Sequence, residues 1–399
     1  MRIRDRLLAL AIAAFLVKVW LAAATIGTID VLLFERMLEK LDLYGAPVLY
    51  QQGAELIVDG REVGLTMQMN HPPFMLTVLS AWGALRAATG LPLGFWLRLM
   101  CAMGDLLSFI LIRRMLGERA AVWMLAAAPA AILVSGFHGN SDPIMISFAV
   151  LAVYLLQHRG WAAWSGAALA AACCIKVWPL VLTPVFLLNA GTMKRRLAFC
   201  ASAAATGLAL SMPWLLEAPR LIPERMFNYA SWPYGWGFTL LWPSTYPVLR
   251  LLVFPILVSA AVLAWRRRDT VFGGCALVAS VFFFITPGFG IQYLAWLLPW
   301  TARAGRWAAA VFHVTAAVFC FTVYHVWAGG LPWDFANGNA NPTTPLAFQV
   351  GLAPWLATLG LVFGVSAGRT AATPPSSAYT PDTRQPSPTR PRRAGLPPR

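Results

Sequence analysis

Long apolar segments recur along almost the whole chain, and short basic runs separate them. Of the 399 residues, 59% are hydrophobic and only 12% are charged, whereas soluble domains carry about 25% charged residues. An apolar run of about 20 residues matches the hydrocarbon core of a bilayer. The pattern therefore predicts an all-α polytopic transmembrane protein, and it excludes a soluble globular fold.

The net charge of +15 is of the size seen in nucleic-acid-binding proteins. Here, however, the basic residues lie between the apolar segments, as the orientation of a protein in a bilayer requires. We therefore expect membrane lipids as partners and no nucleic acid. The six Cys lie mostly inside apolar segments and show no metal-ligand spacing, and the sequence has no nucleotide-binding glycine motif. We therefore expect neither a metal nor a cofactor.

The basic runs also orient the segments, because positive residues favour the cytoplasmic side. Placing Arg114, Arg195 and Arg267 inside predicts about twelve spans, an outer juxtamembrane helix at 74–88 and a helix break near Lys176. The first apolar run also resembles a signal peptide, but we favour an uncleaved span because a polar loop follows at once. The predicted spans are 7–26, 95–112, 120–136, 144–156, two within 161–188, 197–215, 248–265, 271–285, a short segment from 294, 307–327 and 346–365.

A change in composition near residue 369 divides the chain into a transmembrane domain, 1–368, and a tail, 369–399. The tail is rich in Pro, Ser, Thr and Arg and has too few apolar residues to form a core, so we expect it to be disordered in the cytoplasm. The domain is predicted to consist of a core module, 1–190, with a first outer loop at 27–94, and a variable module, 191–368, with a second outer loop at 216–247.

The first outer loop contains the strongest candidate for chemistry, Asp30. Ionisable groups at the mouth of an apolar span are costly and are functional candidates for that reason. Asp30 precedes a segment, 31–43, whose spacing predicts an amphipathic helix on the membrane surface. We interpret Asp30 as a catalytic base; the alternative is that it only caps this helix.

Several other polar residues are predicted to lie at the same outer face. Asp142 precedes a proline and a helix, so it is either a functional group or a helix cap. Lys176 is either a counter-ion for a phosphate or an interfacial lysine. Within the predicted spans, Lys18 either extends to the headgroups or contacts a lipid phosphate, and Asp105 is expected to make a helix–helix hydrogen bond. The full outer set is Asp30, His71, His138, Asn140, Asp142, Lys176, Arg220, Arg225 and Gln292.

Three motifs, in this order, resemble those of GT-C glycosyltransferases, which are membrane enzymes that use polyprenyl-phosphate sugars. The pattern is most similar to dolichyl-phosphate-glucose-dependent glucosyltransferases and to bacterial polyprenyl-phosphate-mannose-dependent mannosyltransferases. The late segment 290–294 lacks the His and Lys that the family often has there. The matching stretches are Gly27-Thr28-Ile29-Asp30 with Asn70-His71-Pro72-Pro73-Phe74, then Gly136-Phe137-His138-Gly139-Asn140-Ser141-Asp142, and then Lys176-Val177-Trp178-Pro179.

The resemblance implies an inverting transfer of a hexose, mannose or glucose, from a polyprenyl-phosphate donor to a lipid-linked or cell-envelope glycan. Asp30 would be the base, at the outer face of a bacterial-type inner membrane. Lys176, Arg220 and Arg225 would hold the donor phosphate. The remaining candidates, His71, His138, Asn140, Asp142 and Gln292, would bind substrate or orient Asp30.

Two other functions are compatible with the same pattern. A transporter or flippase of lipid-linked sugars would also use a lysine beside a broken helix, but such proteins usually show internal repeats and polar groups near the membrane midplane. The sequence shows no repeat, and its polar groups gather at one face. A non-catalytic assembly subunit is the third hypothesis.

Overall fold

The computed structural model describes residues 3–58, 61–228, 235–338 and 344–367. These residues are almost entirely helical, which confirms the predicted all-α membrane fold. The sequence run 231–234 of the second outer loop and the tail 369–399 lie outside the described residues. The division into two modules at residue 190 stays a prediction.

The first part of the chain forms nine α-helices among the described residues. Two π-helical turns, Val122–Ala126 and Val134–His138, flank the sixth helix, and a 3-10 helix, Trp178–Leu182, precedes the ninth. The helices are α1 (Ile3–Ala24), α2 (Ile29–Gln52), α3 (Phe74–Thr89), α4 (Leu93–Leu116), α5 (Glu118–Ala121), α6 (Pro129–Leu133), α7 (Asp142–Arg159), α8 (Ala162–Ile175) and α9 (Thr183–Asn189).

The second part continues with helices of very unequal length. Three 3-10 helices, Pro243–Thr245, Ile291–Tyr293 and Leu298–Arg303, interrupt the series. The helices are α10 (Met193–Leu215), α11 (Leu221–Phe227), α12 (Gly237–Leu241), α13 (Tyr246–Arg266), α14 (Val271–Ile285), α15 (Leu294–Leu297), α16 (Arg306–Ala328), α17 (Thr344–Gln349) and α18 (Leu352–Ala367).

In the part of the chain that the structure describes, four short strands form two pairs. Strand β1 (Gly27–Thr28) is parallel to β4 (Phe335–Ala336), and β2 (Ala54–Val58) is antiparallel to β3 (Arg61–Met67). The β1–β4 pair joins the start of α2 to the segment that follows α16, and α16 packs against β4. A residue near the end of α16 can therefore reach the first outer loop.

Among the described residues, six helices are long and apolar enough to cross a membrane: α1, α4, α10, α16 and the stretches Pro243–Arg266 and Thr344–Ala367. The prediction of about twelve spans also needs the shorter apolar helices, such as α14, and the described residues do not establish that count. The predicted helix at 74–88 is present as α3. The predicted break is also present: α8 ends at Ile175, and Lys176 is extended, with φ −153° and ψ 139°.

Helix α2 confirms the amphipathic segment and corrects its ends. The predicted apolar face is buried, with Phe34 and Leu41 among its residues. Thr28 is the N-cap, because its side chain accepts a hydrogen bond from the Asp30 amide. The helix does not end at residue 43, the end of the predicted segment; it kinks at Gly45, where φ is +76°, and continues to Gln52. Lys40 is buried and pairs with Glu55 at 2.7 Å.

A buried ion pair joins α1 to α4 inside the membrane. Lys18 Nζ donates to Asp105 Oδ2 at 2.5 Å, and Ser135 Oγ donates to the same oxygen at 2.5 Å. Both interpretations of Lys18 were therefore wrong, since it reaches neither headgroups nor a phosphate, whereas the helix–helix hydrogen bond expected of Asp105 is confirmed. Charges in hydrocarbon must be paired to be tolerated, and this pair fixes the π-helical turn that contains Ser135.

The orientation can be tested at positions that the structure leaves exposed. We expect single cysteines at Gln51 and Arg220 to react with a membrane-impermeant maleimide in intact cells, and those at Lys194 and Arg266 to react only after lysis, because the basic runs face the cytoplasm. A Cys200→Ser background removes the exposed native thiol. Labelling of positions 220 and 194 from the same side would contradict the topology.

Candidate active site

Asp30 lies in the first turn of α2, and its carboxylate is held by two residues distant in sequence. Its Oδ2 accepts a hydrogen bond from Asn140 Nδ2 at 2.6 Å and lies 3.1 Å from His138 Nε2. Since Thr28 caps the helix, the interpretation of Asp30 as only a cap is wrong. Within the described residues, Asp30 Oδ1 accepts no hydrogen bond, so this oxygen is available to a substrate.

His138 is the last residue of the π-helical turn Val134–His138, and Asn140 follows it in the short connection to α7. Gly139 between them has φ +81°, a conformation that side chains disfavour, and an added Cβ would collide with Val31. Thr28 Oγ1 donates to the His138 carbonyl at 2.6 Å, which ties this connection to the start of α2. The result is that one backbone segment presents both polar side chains to Asp30.

A third partner of this chain of hydrogen bonds is Tyr324 of α16, which is fully buried. Its hydroxyl lies 3.0 Å from His138 Nδ1. The sequence analysis did not find Tyr324, because it lies within an apolar span and belongs to no polar motif. The only available signal was general: a buried tyrosine hydroxyl usually has a hydrogen-bond partner.

The electrostatics of the site keep Asp30 ionised. Burial raises the pKa of the Asp30 carboxyl, but the hydrogen bond and the electrostatic effect of His138, the hydrogen bond from Asn140 and the positive charge of Lys176 lower it by more. The net pKa is below the ordinary value of 3.8. At neutral pH the group is therefore a carboxylate, which is the form that can accept a proton.

Lys176, at the break after α8, forms the cationic part of the site. Its Nζ donates to Asp142 Oδ1 at 2.7 Å and to Asn140 Oδ1 at 3.4 Å. Trp296 Nε1 also donates to Asp142 Oδ1, at 2.5 Å. Ser141, not Asp142, is the N-cap of α7, so capping alone does not describe Asp142. Trp296, like Tyr324, was missed by the sequence analysis.

One cavity of about 240 Å³ brings most of these groups together. Five of the residues singled out from the sequence line it: Asp30, His71, Asn140, Lys176 and Gln292. His138 and Asp142 lie behind this lining and hold Asp30 and Lys176 in place. The lining also contains aromatic side chains, among them Trp178, Phe282, Tyr293 and Trp296.

The two arginines do not reach this cavity. Arg225 lines a neighbouring cleft of about 280 Å³ and donates to the carbonyls of Tyr50 and Gln51, at 3.2 and 3.3 Å. Arg220 is exposed before α11 and lines neither space. The structure thus offers Lys176 alone, of the three predicted cations, to a ligand beside Asp30.

His71 closes the cavity on the side of the first loop. It is buried, and its Nδ1 donates to the Ile175 carbonyl at 3.4 Å. Burial, together with the positive charge of Lys176, lowers the pKa of His71 to about 3. This histidine is therefore neutral over the physiological range. Within the described residues, no cluster of His, Cys, Asp or Glu could hold a metal ion.

Comparison with known proteins is consistent with this arrangement. Residues 70–234 match the model of glycosyltransferase family 87; the match contains His71, Asn140 and Lys176 and begins after Asp30. The fold is similar to the crystal structure of ArnT from Cupriavidus metallidurans in the apo state, with a TM-score of 0.50 and 18% sequence identity over 92% of this chain and 76% of that one. No curated protein sequence matches significantly. The structural likeness shows that the two chains share a fold, and together with the family match it supports a membrane glycosyltransferase of the GT-C type.

The neutral state of His71 predicts a specific pH dependence of stability. The folded protein resists protonation of His71 down to about pH 3, whereas the unfolded chain takes up this proton near pH 6.5. Stability should therefore fall on acidification below pH 6.5, by about 1.4 kcal/mol per pH unit from this group. His71→Gln should lose less stability than the wild type between pH 7.5 and pH 5, measured by thermal unfolding in detergent.

The matched control is His325→Gln, at an exposed position on α16. It should shift the unfolding temperature equally at both pH values. An equal acid loss in the wild type and in His71→Gln would contradict the neutral, buried state of His71.

Proposed function

We propose that this protein transfers one hexose, mannose or glucose, from a polyprenyl-phosphate donor to a hydroxyl group of a lipid-linked or cell-envelope glycan, with inversion, at the extracytoplasmic face of a bacterial-type inner membrane. The main support is the Asn140 side chain. Its Nδ2 donates to Asp30 and its Oδ1 accepts from Lys176. One amide thus holds a base and a cation beside each other at the cavity wall.

A carboxylate beside an ammonium group suits a displacement in which a phosphate leaves. The acceptor oxygen would form a bond to the anomeric carbon of the sugar while the bond from that carbon to the phosphate oxygen breaks. The acceptor proton would pass to Asp30, and polyprenyl phosphate would leave with the bonding electron pair. Phosphate leaves as an anion and needs no general acid, and a single displacement inverts the configuration.

Asp30 has the properties that this role requires. Its low pKa makes it a weak base, so proton transfer would occur late, when the attacking oxygen has become acidic by forming its bond. The two hydrogen bonds at Oδ2 fix the orientation of the carboxylate. Oδ1 would then receive the proton without any rearrangement of the site.

Lys176 would hold the leaving phosphate. Its ammonium group is a point charge with three donors, and Asp142 and Asn140 take two of them. The third would remain for a phosphate oxygen. The charge also lies over the rings of Tyr293 and Trp296, 5.3 and 5.5 Å from their centres. These contacts would keep the lysine in one position while charge develops on the phosphate.

The two ends of the cavity favour different substrates. The aromatic side chains of the lining, Trp178 and Trp296 among them, would contact the apolar faces of the donor sugar and its first isoprene unit. The neighbouring cleft shares Met67 and Asn70 with the cavity. Its other side chains are mostly polar, including Gln68, Glu224, Arg225 and Asn228. Such groups hydrogen-bond to sugar hydroxyls, so we place the acceptor glycan there.

The transporter hypothesis receives less support. The family match is to glycosyltransferases, and Asp30, Asn140 and Lys176 line a single cavity. The same match disfavours a non-catalytic assembly subunit.

The first test of this proposal is Asp30→Asn. Thr28 caps α2, so the helix should be retained, while the base is lost. Transfer from a labelled polyprenyl-phosphate hexose by the purified variant should fall roughly 10²-fold or more. Asp42→Asn, the same change at an exposed position of α2, should leave transfer unchanged. Near-normal transfer by Asp30→Asn would refute Asp30 as the base.

The second test concerns the donor phosphate. Lys176→Gln should raise the KM for the donor about 10-fold or more, because a charge-assisted hydrogen bond to phosphate is lost. Lys176→Gln leaves Asp142 as a buried carboxylate without its partner, which should lower thermal stability. The double variant Lys176→Gln with Asp142→Asn removes that carboxylate, so its thermal stability should recover while its binding of the donor stays weak. Glu224→Gln, in the cleft, is the matched control and should leave the donor KM unchanged. An unaltered donor KM in Lys176→Gln would refute the assignment.

A further inference from the structure

We infer that Tyr324 is a positioning residue for Asp30 and acts through His138: its hydroxyl selects the neutral form of the imidazole that has its hydrogen on Nε2. The inference rests on the proposed function, since it takes Asp30 as the base. It concerns a residue near the end of α16, 186 positions away from His138 in the sequence.

The geometry is a linear series of three side chains. Tyr324 Oη lies 3.0 Å from His138 Nδ1, and His138 Nε2 lies 3.1 Å from Asp30 Oδ2. Tyr324 is fully buried, and His138 is 2% exposed. Both nitrogens of the imidazole are therefore in contact with a protein group, and water has little access to either of them.

For a neutral imidazole, only one assignment of hydrogens satisfies all three groups. A carboxylate accepts hydrogen bonds but cannot donate, so the hydrogen between His138 and Asp30 must be on Nε2. The neutral ring then has its lone pair on Nδ1, and the Tyr324 hydroxyl donates to it. The opposite tautomer would direct a lone pair at the carboxylate and would be repelled.

The surroundings of Tyr324 also oppose the imidazolium form. An imidazolium would carry a hydrogen on Nδ1, and the tyrosine oxygen would have to accept it and direct its own hydrogen elsewhere. The rings packed around Tyr324 are those of Phe137, Trp327 and Trp333. None of these side chains accepts a conventional hydrogen bond. Donation to Nδ1 is thus the favoured arrangement.

This arrangement matters for proton transfer because an imidazolium beside Asp30 would form an ion pair and make the carboxylate a poorer base. The other ionisable groups near this series are Asp142 and Cys320, which act on Tyr324, and Lys176, which acts on Asp30. Of these, Lys176 already makes Asp30 a weaker base. An imidazolium at His138, bonded to Asp30 Oδ2, would weaken the base further, and the hydroxyl of Tyr324 disfavours that imidazolium.

The hydroxyl can be separated from the ring by Tyr324→Phe, which keeps the aromatic packing. We expect transfer at pH 7 to fall about 10-fold, as loss of one buried hydrogen bond that orients a catalytic group would produce. The loss should be in kcat, because Asp30 is less well oriented, while the donor KM stays unchanged. Tyr154→Phe is the matched control: Tyr154 stacks on another histidine, His158, on α7, and its kcat should equal that of the wild type.

A double-mutant cycle tests whether the effect passes through His138. In a His138→Gln background, Tyr324→Phe should cause almost no further loss of transfer, because the imidazole on which it acts is absent. Additive losses, or a kcat of Tyr324→Phe equal to that of the wild type, would overturn the inference.

Nitrogen-15 NMR of the histidine-labelled protein gives a readout that needs no substrate. The chain has five histidines, and the signal lost in His138→Gln identifies His138. The wild-type signal should be that of a neutral ring with hydrogen on Nε2, and Tyr324→Phe should shift it. A wild-type ring with hydrogen on Nδ1, or an imidazolium, overturns the inference even if the variant fails to fold. Absence of any wild-type transfer from polyprenyl-phosphate sugars would instead refute the proposed function, and the NMR result would be unaffected.

Discussion

The site depends on the pairing of charges in a place where water cannot solvate them. Asn140 provides the central contact, since its amide donates to Asp30 and accepts from Lys176. The two charged groups orient the amide, and the amide in turn holds them on either side of itself. Asp142 then balances Lys176 at 2.7 Å. Without these contacts the carboxylate and the ammonium group would lose solvation without compensation, and the cavity would not be stable in its present form.

Charges are also paired deeper in the membrane, and this pairing supports the site. Lys18, Asp105 and Ser135 form a buried hydrogen-bonded cluster that joins α1, α4 and the π-helical turn. That turn ends at His138, so the cluster fixes the position of the backbone that carries the imidazole. π-Helical turns inside helices often occur at functional sites, and here the turn brings His138 into contact with both Asp30 and Tyr324.

Much of this site could be predicted from the sequence, and the failures have physical reasons. Asp30, Asn140 and Lys176 were singled out because polar residues next to apolar segments are costly and rarely incidental. Arg220 and Arg225 were chosen for their charge alone, but Arg225 bonds to backbone carbonyls and Arg220 remains exposed. Trp296 and Tyr324 were missed, because a single hydroxyl or indole in an apolar segment leaves no pattern in the sequence.

By itself, the sequence determined the membrane class, the helical fold, the break at Lys176 and the polar residues available for chemistry, because these follow from local hydropathy and from the chain's own turns. The tertiary structure alone decided which of these residues meet. The partners of Asp30 are 108 and 110 positions away, and Tyr324 is 186 positions from His138. Contacts across such distances arise from helix packing and from the β1–β4 pair, and no local pattern records them.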